Sequence, residues 1–140
     1  MFWDSSALVP YLVHEDSSAE VVDLLADDRS VLIWWASSVE CVSALERQRR
    51  DGSLEREAQD EAVARLRELI AESTIVQPTS LVRDRAERLL AVHPLRAADS
   101  LQLAAALVVC DDRPAGESFV CLDGRLREAA MREGFRVLPT

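Results

Sequence analysis

Five short apolar runs alternate along this chain with longer segments of helical period, and that alternation constrains the fold more than any other feature. A strand that reads as an unbroken apolar run is covered on both faces, as in a parallel sheet with helices on either side. The strand candidates are residues 1–3, 31–35, 74–76, 119–122 and 135–138. Helical stretches fall at 6–13, 19–26, 37–50, 54–72, 80–92, 101–110 and 124–132. Pro10 is expected to bend the first helix or restart it. Arg49 and Arg50 followed by Gly52 stop the third. The stretch 101–110 is apolar nearly all round, so that helix is buried. The reading is an α/β fold, with residues 1–140 as a single domain large enough for one core.

Two absences exclude common chemistries. All 16 basic residues are Arg, so a Walker A loop, which needs a Lys, is ruled out. A GxGxxG is also missing, which excludes that dinucleotide-binding fingerprint. His14 and His93 have no metal or triad spacing and read as surface or packing residues. The start of the chain lacks a signal-peptide pattern, and its longest apolar run is too short to span a bilayer. Cys41, Cys110 and Cys121 form no CxxC pair, so reduced thiols and a cytoplasmic location are expected, with no membrane association.

Carboxylates remain. Asp4, Glu40, Asp99 and Asp123 stand at element boundaries and not on charged helix faces. Each has a local explanation: Asp4 as an N-cap, Ser37-x-x-Glu40 as a capping box, Asp99 as a favourable charge near a helix start, Asp123-Gly124 as a turn. Together they suggest more. Asp4 and Asp123 each follow a strand, so both belong to the C-terminal edge of the sheet, where α/β folds bind ligands. Asp99 enters a buried helix and needs a partner, for which Arg96 is the nearby cation. Acids that converge raise one another's pKa or require a metal ion. An all-oxygen set suits Mg²⁺ or Mn²⁺, and two such ions about 4 Å apart serve phosphodiester hydrolysis.

Four segments then resemble a known family. They are Asp4-Ser5-Ser6-Ala7-Leu8, Ser38-Val39-Glu40-Cys41-Val42-Ser43-Ala44-Leu45, Leu95-Arg96-Ala97-Ala98-Asp99-Ser100-Leu101-Gln102-Leu103-Ala104 and Cys121-Leu122-Asp123-Gly124-Arg125 with the residues after it. In this order they resemble the PIN domain ribonucleases, and in length the VapC toxins of VapBC toxin–antitoxin pairs. The resemblance implies a three-layer α/β/α domain with a five-stranded parallel sheet in the order 3-2-1-4-5. It implies metal-binding, catalytic roles for Asp4, Glu40, Asp99 and Asp123, and a supporting hydroxyl at Ser6. It further implies an Mg²⁺- or Mn²⁺-dependent endoribonuclease cutting tRNA or rRNA, a homodimer, and a small DNA-binding antitoxin as partner. Cys121 stands where the family often has Ser or Thr, which predicts a less firmly oriented Asp123. Gln102 stands where many relatives carry His, and a structural role is expected of it.

Net charge is −9, unusual for a protein that binds RNA. Binding then rests on local arginines: Arg47, Arg49 and Arg50; Arg83, Arg85 and Arg88, of which Arg85 and Arg88 read as paired with acids; and Arg96 with Arg125 beside the carboxylates. Arg125, directly after the Asp-Gly turn, suits a phosphate. The negative surface equally suits a basic antitoxin segment. Trp34 and Trp35 point to opposite faces and are expected in the core, with one of them available for a partner or a base. A PIN-like domain that has lost catalysis and serves as a partner-binding module is the alternative. A receiver domain or aspartyl-phosphate phosphatase fits poorly, because the chain has no Lys and Ser6 occupies the second Asp position.

Overall fold

The computed structural model describes residues 1–13, 18–28 and 30–140; His14 lies outside them. Its strands are β1 (Phe2–Trp3), β2 (Leu32–Trp34), β3 (Thr74–Val76), β4 (Ser118–Val120) and β5 (Arg136–Leu138). Its helices are α1 (Ser5–Leu12), α2 (Ser18–Asp27), α3 (Ser37–Asp51), α4 (Arg56–Glu72), α5 (Ser80–Val92), α6 (Ala97–Val109) and α7 (Gly124–Glu133). All the strand pairs are parallel and the sheet runs β3-β2-β1-β4-β5, the order the resemblance implies.

Strand alternation divides the core in two. Trp3, Ile33, Val120 and Leu138 face α1 to α4, among Leu8, Leu12, Leu45 and Leu66. Phe2, Trp34, Phe119 and Val137 face α5, α6 and α7, among Leu89, Leu103 and Leu126. Phe2 and Phe119 are register partners on neighbouring strands, and their rings stack with centroids 5.4 Å apart.

Four expectations change. The first helix continues through Pro10 and ends at Leu12, so the proline does not start a new element. Helix α6 begins at Ala97, which puts Asp99 inside its first turn. Of Trp34 and Trp35, the first alone is in the core; Trp35 is 55% exposed, its backbone N–H on the Val76 carbonyl at 3.0 Å. Ser37 does not cap α3: the N-cap is Ala36, and Ser37 is the buried first residue of the helix.

The fold places the chain's acids by topology. In a parallel sheet every strand ends at the same edge. The turns after β1 and β4, central neighbours, therefore deliver Asp4 and the Cys121–Asp123 segment side by side. The backbone N–H of Asp4 extends the ladder by one bond, to Val120 O at 2.9 Å.

Candidate active site

A cleft of about 520 Å³ opens at that edge, and Asp4, Glu40, Asp99 and Asp123 all line it. Asp4 is its floor. The residue is 3% exposed and caps α1, its Oδ2 accepting from Ser6 N at 2.9 Å and from the Ser6 hydroxyl. Burial pushes the carboxyl up to about 6; the Ser6 bonds oppose this, and the Glu40 and Asp99 charges add to it.

Ser6 does more than support Asp4. Its hydroxyl proton goes to the carboxylate, and its oxygen accepts from Leu122 N at 2.9 Å and Asp123 N at 3.2 Å. One side chain thereby clamps the end of β4 to the end of β1. Cys121 is fully buried, its Sγ 3.6 Å from Ser6 Oγ and 3.7 Å from Asp4 Oδ2. The thiol thus faces Asp4. The carboxylate of Asp123 is held otherwise, as the N-cap of α7, with Oδ1 accepting from Arg125 N at 3.0 Å and Leu126 N at 2.9 Å. Cys121 Sγ also lies 3.6 Å from the Asp123 carbonyl oxygen, while the Asp123 carboxylate takes its bonds from α7 and none from the thiol.

Glu40 lies in the first turn of α3, and a second carboxylate beside Asp4 needs bonds to hold it there. Its Oε2 accepts from Ser5 Oγ at 2.7 Å and from Gln102 Nε2 at 3.2 Å. Gln102 is wholly buried on α6, and its amide also meets Ser37 Oγ at 3.0 Å. Sequence reasoning missed the part that Ser5 and Gln102 play in aiming Glu40. The signal for Gln102 was present: it is the one polar residue within the apolar run 101–110, and a buried amide must find partners.

Asp99 is half-buried, its Oδ2 accepting from Arg96 N at 3.3 Å. Its pKa is raised, first by burial; the Arg96 amide opposes this, Asp123 adds to it, and the Arg96 and Arg125 charges lower it. The expected ion pair with Arg96 does not form: that residue contributes its backbone N–H and leaves its side chain exposed. Arg96 and Arg125 act on Asp99 electrostatically, and neither lines the cleft.

Among the described residues no three His, Cys, Asp or Glu side chains approach closely enough to chelate one ion. The donor set still fits Mg²⁺ or Mn²⁺. It is all carboxylate at the cleft surface, and Mg²⁺ keeps several waters while binding through one or two carboxylates. Asp4 is buried, and the charges of Glu40 and Asp99 oppose its ionisation, an environment that a cation would relieve.

A three-layer α/β/α domain with carboxylates gathered over its central strands defines the class. The chain belongs to the PIN domain family, whose model matches residues 1–130. The crystal structure of PAE2754 from Pyrobaculum aerophilum is similar over 98% of this chain and 87% of that one, with a TM-score of 0.68 at 18% identity. No curated protein matches. PIN domains are generally nuclease folds and typically use divalent metals. Among the described residues no helix is long and apolar enough to cross a membrane.

Proposed function

We propose that the protein is a metal-dependent endoribonuclease of the VapC type, the toxin of a toxin–antitoxin pair. The observation that carries this is the convergence of four carboxylates, from four separate segments, on one cleft, with Asp4 buried and its ionisation opposed by Glu40 and Asp99. Asp4, Glu40, Asp99 and Asp123 would hold Mg²⁺ or Mn²⁺, which supplies Lewis acidity at the phosphate and water made nucleophilic near neutral pH. The protein's own task is orientation. Ser6 fixes Asp4, Ser5 and Gln102 fix Glu40, and the first turns of α6 and α7 fix Asp99 and Asp123. Arg96 and Arg125 would meet phosphates of RNA, tRNA or rRNA being the expected substrate.

The net charge of −9 supports a small basic DNA-binding antitoxin as partner. Exposed apolar side chains such as Trp35, Val39 and Leu81 support a homodimer. The proposed location is the cytoplasm. Incubating cellular RNA with the pure protein, with and without Mn²⁺, tests the reading. Cleavage that requires the metal and disappears in Asp99→Asn is expected; cleavage at the wild-type rate by Asp99→Asn would defeat the assignment.

The spacing of the four acids favours a second reading, since no three of them stand at chelating distance. In it the domain binds a partner without cutting RNA. Calorimetry with Mn²⁺ separates the two, because the binding module takes up no ion.

A further inference from the structure

A polyanion entering a cleft floored by four carboxylates needs cations beside it, and the chain's net charge of −9 makes each such cation informative. Among the described residues one basic side chain lines the cleft, that of Arg47. Residues 40, 43, 44 and 47 follow the i, i+3, i+4, i+7 pattern, so a single face of α3 forms the cleft wall. Between Glu40 and Arg47 that wall consists of Ser43 and Ala44, whose small side chains leave the groove open along the helix. Seven residues of helix rise about 10 Å, so Arg47 meets a phosphate other than the one over the acids.

Arg47 is also uncommitted. Arg49 pairs with Glu46 at 3.2 Å, Arg85 with Asp112, and Arg88 with Glu133 at 2.7 Å. Arg47 is exposed and, among the described residues, makes no ion pair. Glu46, next in the chain, is bonded to Arg49 and Gln59, and Asp51, one turn further on, feels the Arg47 charge but accepts its hydrogen bonds from Ser53 N and Oγ. Five guanidinium donors are therefore open to a ligand, in a fork that suits phosphate. Arg96 and Arg125 act on Asp99 electrostatically but are not part of the cleft lining, which leaves Arg47 as the cation in it among the described residues.

We propose that Arg47, with the Ser43 hydroxyl beside it, forms a phosphate subsite of the cleft. It takes a backbone phosphate of single-stranded RNA flanking the scissile one and lays the strand along α3. This rests on the nuclease reading for the identity of the ligand, yet its test does not require cleavage. The probe is a short fluorescein-labelled single-stranded RNA, followed by anisotropy with and without Mn²⁺ over a range of NaCl, with KM and kcat measured alongside. Arg47→Ala is expected to weaken binding and raise KM roughly tenfold, as for one charge-assisted contact, with little change in kcat. The slope of log affinity against log salt falls by about 0.7. Arg47→Lys recovers part of the loss, and Arg136→Ala, exposed at the start of β5 and so at the opposite edge of the sheet, matches the wild type. Unchanged affinity and salt slope in Arg47→Ala overturn the subsite even if RNA is cut. RNA that binds through Arg47 but is never cut upholds the subsite and overturns the nuclease reading instead.

Discussion

At the residue scale the most informative group is Asp4, because its environment opposes its charge. Its carboxyl titrates near 6 in the fold against 3.8 ordinarily, with burial the first cause. The folded state therefore holds this proton more tightly than the unfolded chain does. Its contribution to stability is full below about pH 4 and is lost as pH rises through about 6. A shift of about 2 units corresponds to a penalty of about 3 kcal/mol at pH 7. Thermal melts in EDTA are thus expected to show wild-type stability falling relative to Asp4→Asn across that interval. Asp4→Asn raises Tm at pH 7.5 while abolishing cleavage. Because Asp28, Glu46, Asp51, Asp112 and Glu133 have lowered pKa values and contribute with the opposite sign, the test is the difference between the two proteins. A gap between Asp4→Asn and wild type that stays constant from pH 4 to 7 would contradict this. The same proton competes with metal, so Mn²⁺ affinity measured by calorimetry rises with pH through about 6. Gln102 gives a second expectation at this scale. Gln102→Leu keeps the volume but removes the donor to Glu40 Oε2. Loss of such a supporting bond costs about 10–100-fold in metal affinity or activity, with circular dichroism unchanged.

Among the elements, α7 shows how one residue serves both fold and site. Asp123 satisfies two backbone amides at the helix start while offering its carboxylate to the cleft. Asp123→Ala is expected to lose about 1 kcal/mol of stability through the cap and activity through the charge. Asp123→Asn keeps the cap and loses activity alone, a difference read by denaturant melts beside an RNA cleavage assay. The elements also mark what the sequence disclosed. Strand positions were legible because a parallel sheet leaves no polar face, so runs such as 119–122 stand out. Strand order was not contained in periodicity and came with the resemblance of the four acidic segments. The start of α6 was misplaced because Ala97 and Ala98 carry no apolar stripe, which hid Asp99 inside its first turn. Trp35 looked like core because alternation reports which face a side chain takes, not whether a helix covers it there. Of the site, the acids were legible, and Ser5, as a partner of Glu40, was not. The Ser5–Glu40 bond joins residues 35 apart in sequence, and only the packing of α1 on α3 reveals it.

For the whole molecule the proposed function raises the question of how a chain of net charge −9 would attract RNA, a substrate of the same sign. Long-range attraction is absent, and without metal the cleft itself repels, since Asp4, Glu40, Asp99 and Asp123 share it. Association must then depend on a few local contacts and on divalent ions that cancel the cleft's charge. Two ions would still leave the protein negative, so the electrostatic share of binding stays small. This predicts a distinct salt profile. Binding of single-stranded RNA to Asp99→Asn, followed by anisotropy, is expected to be weak in EDTA and stronger in Mn²⁺. Its salt slope should be shallow, corresponding to only a few phosphate contacts at about 0.7 each. A basic nuclease behaves in the opposite way, binding tightly without metal and losing affinity steeply as salt rises. If this protein did the same, Arg47, Arg96 and Arg125 could not account for it. The recognition surface would then have to be sought away from the C-terminal edge of the sheet.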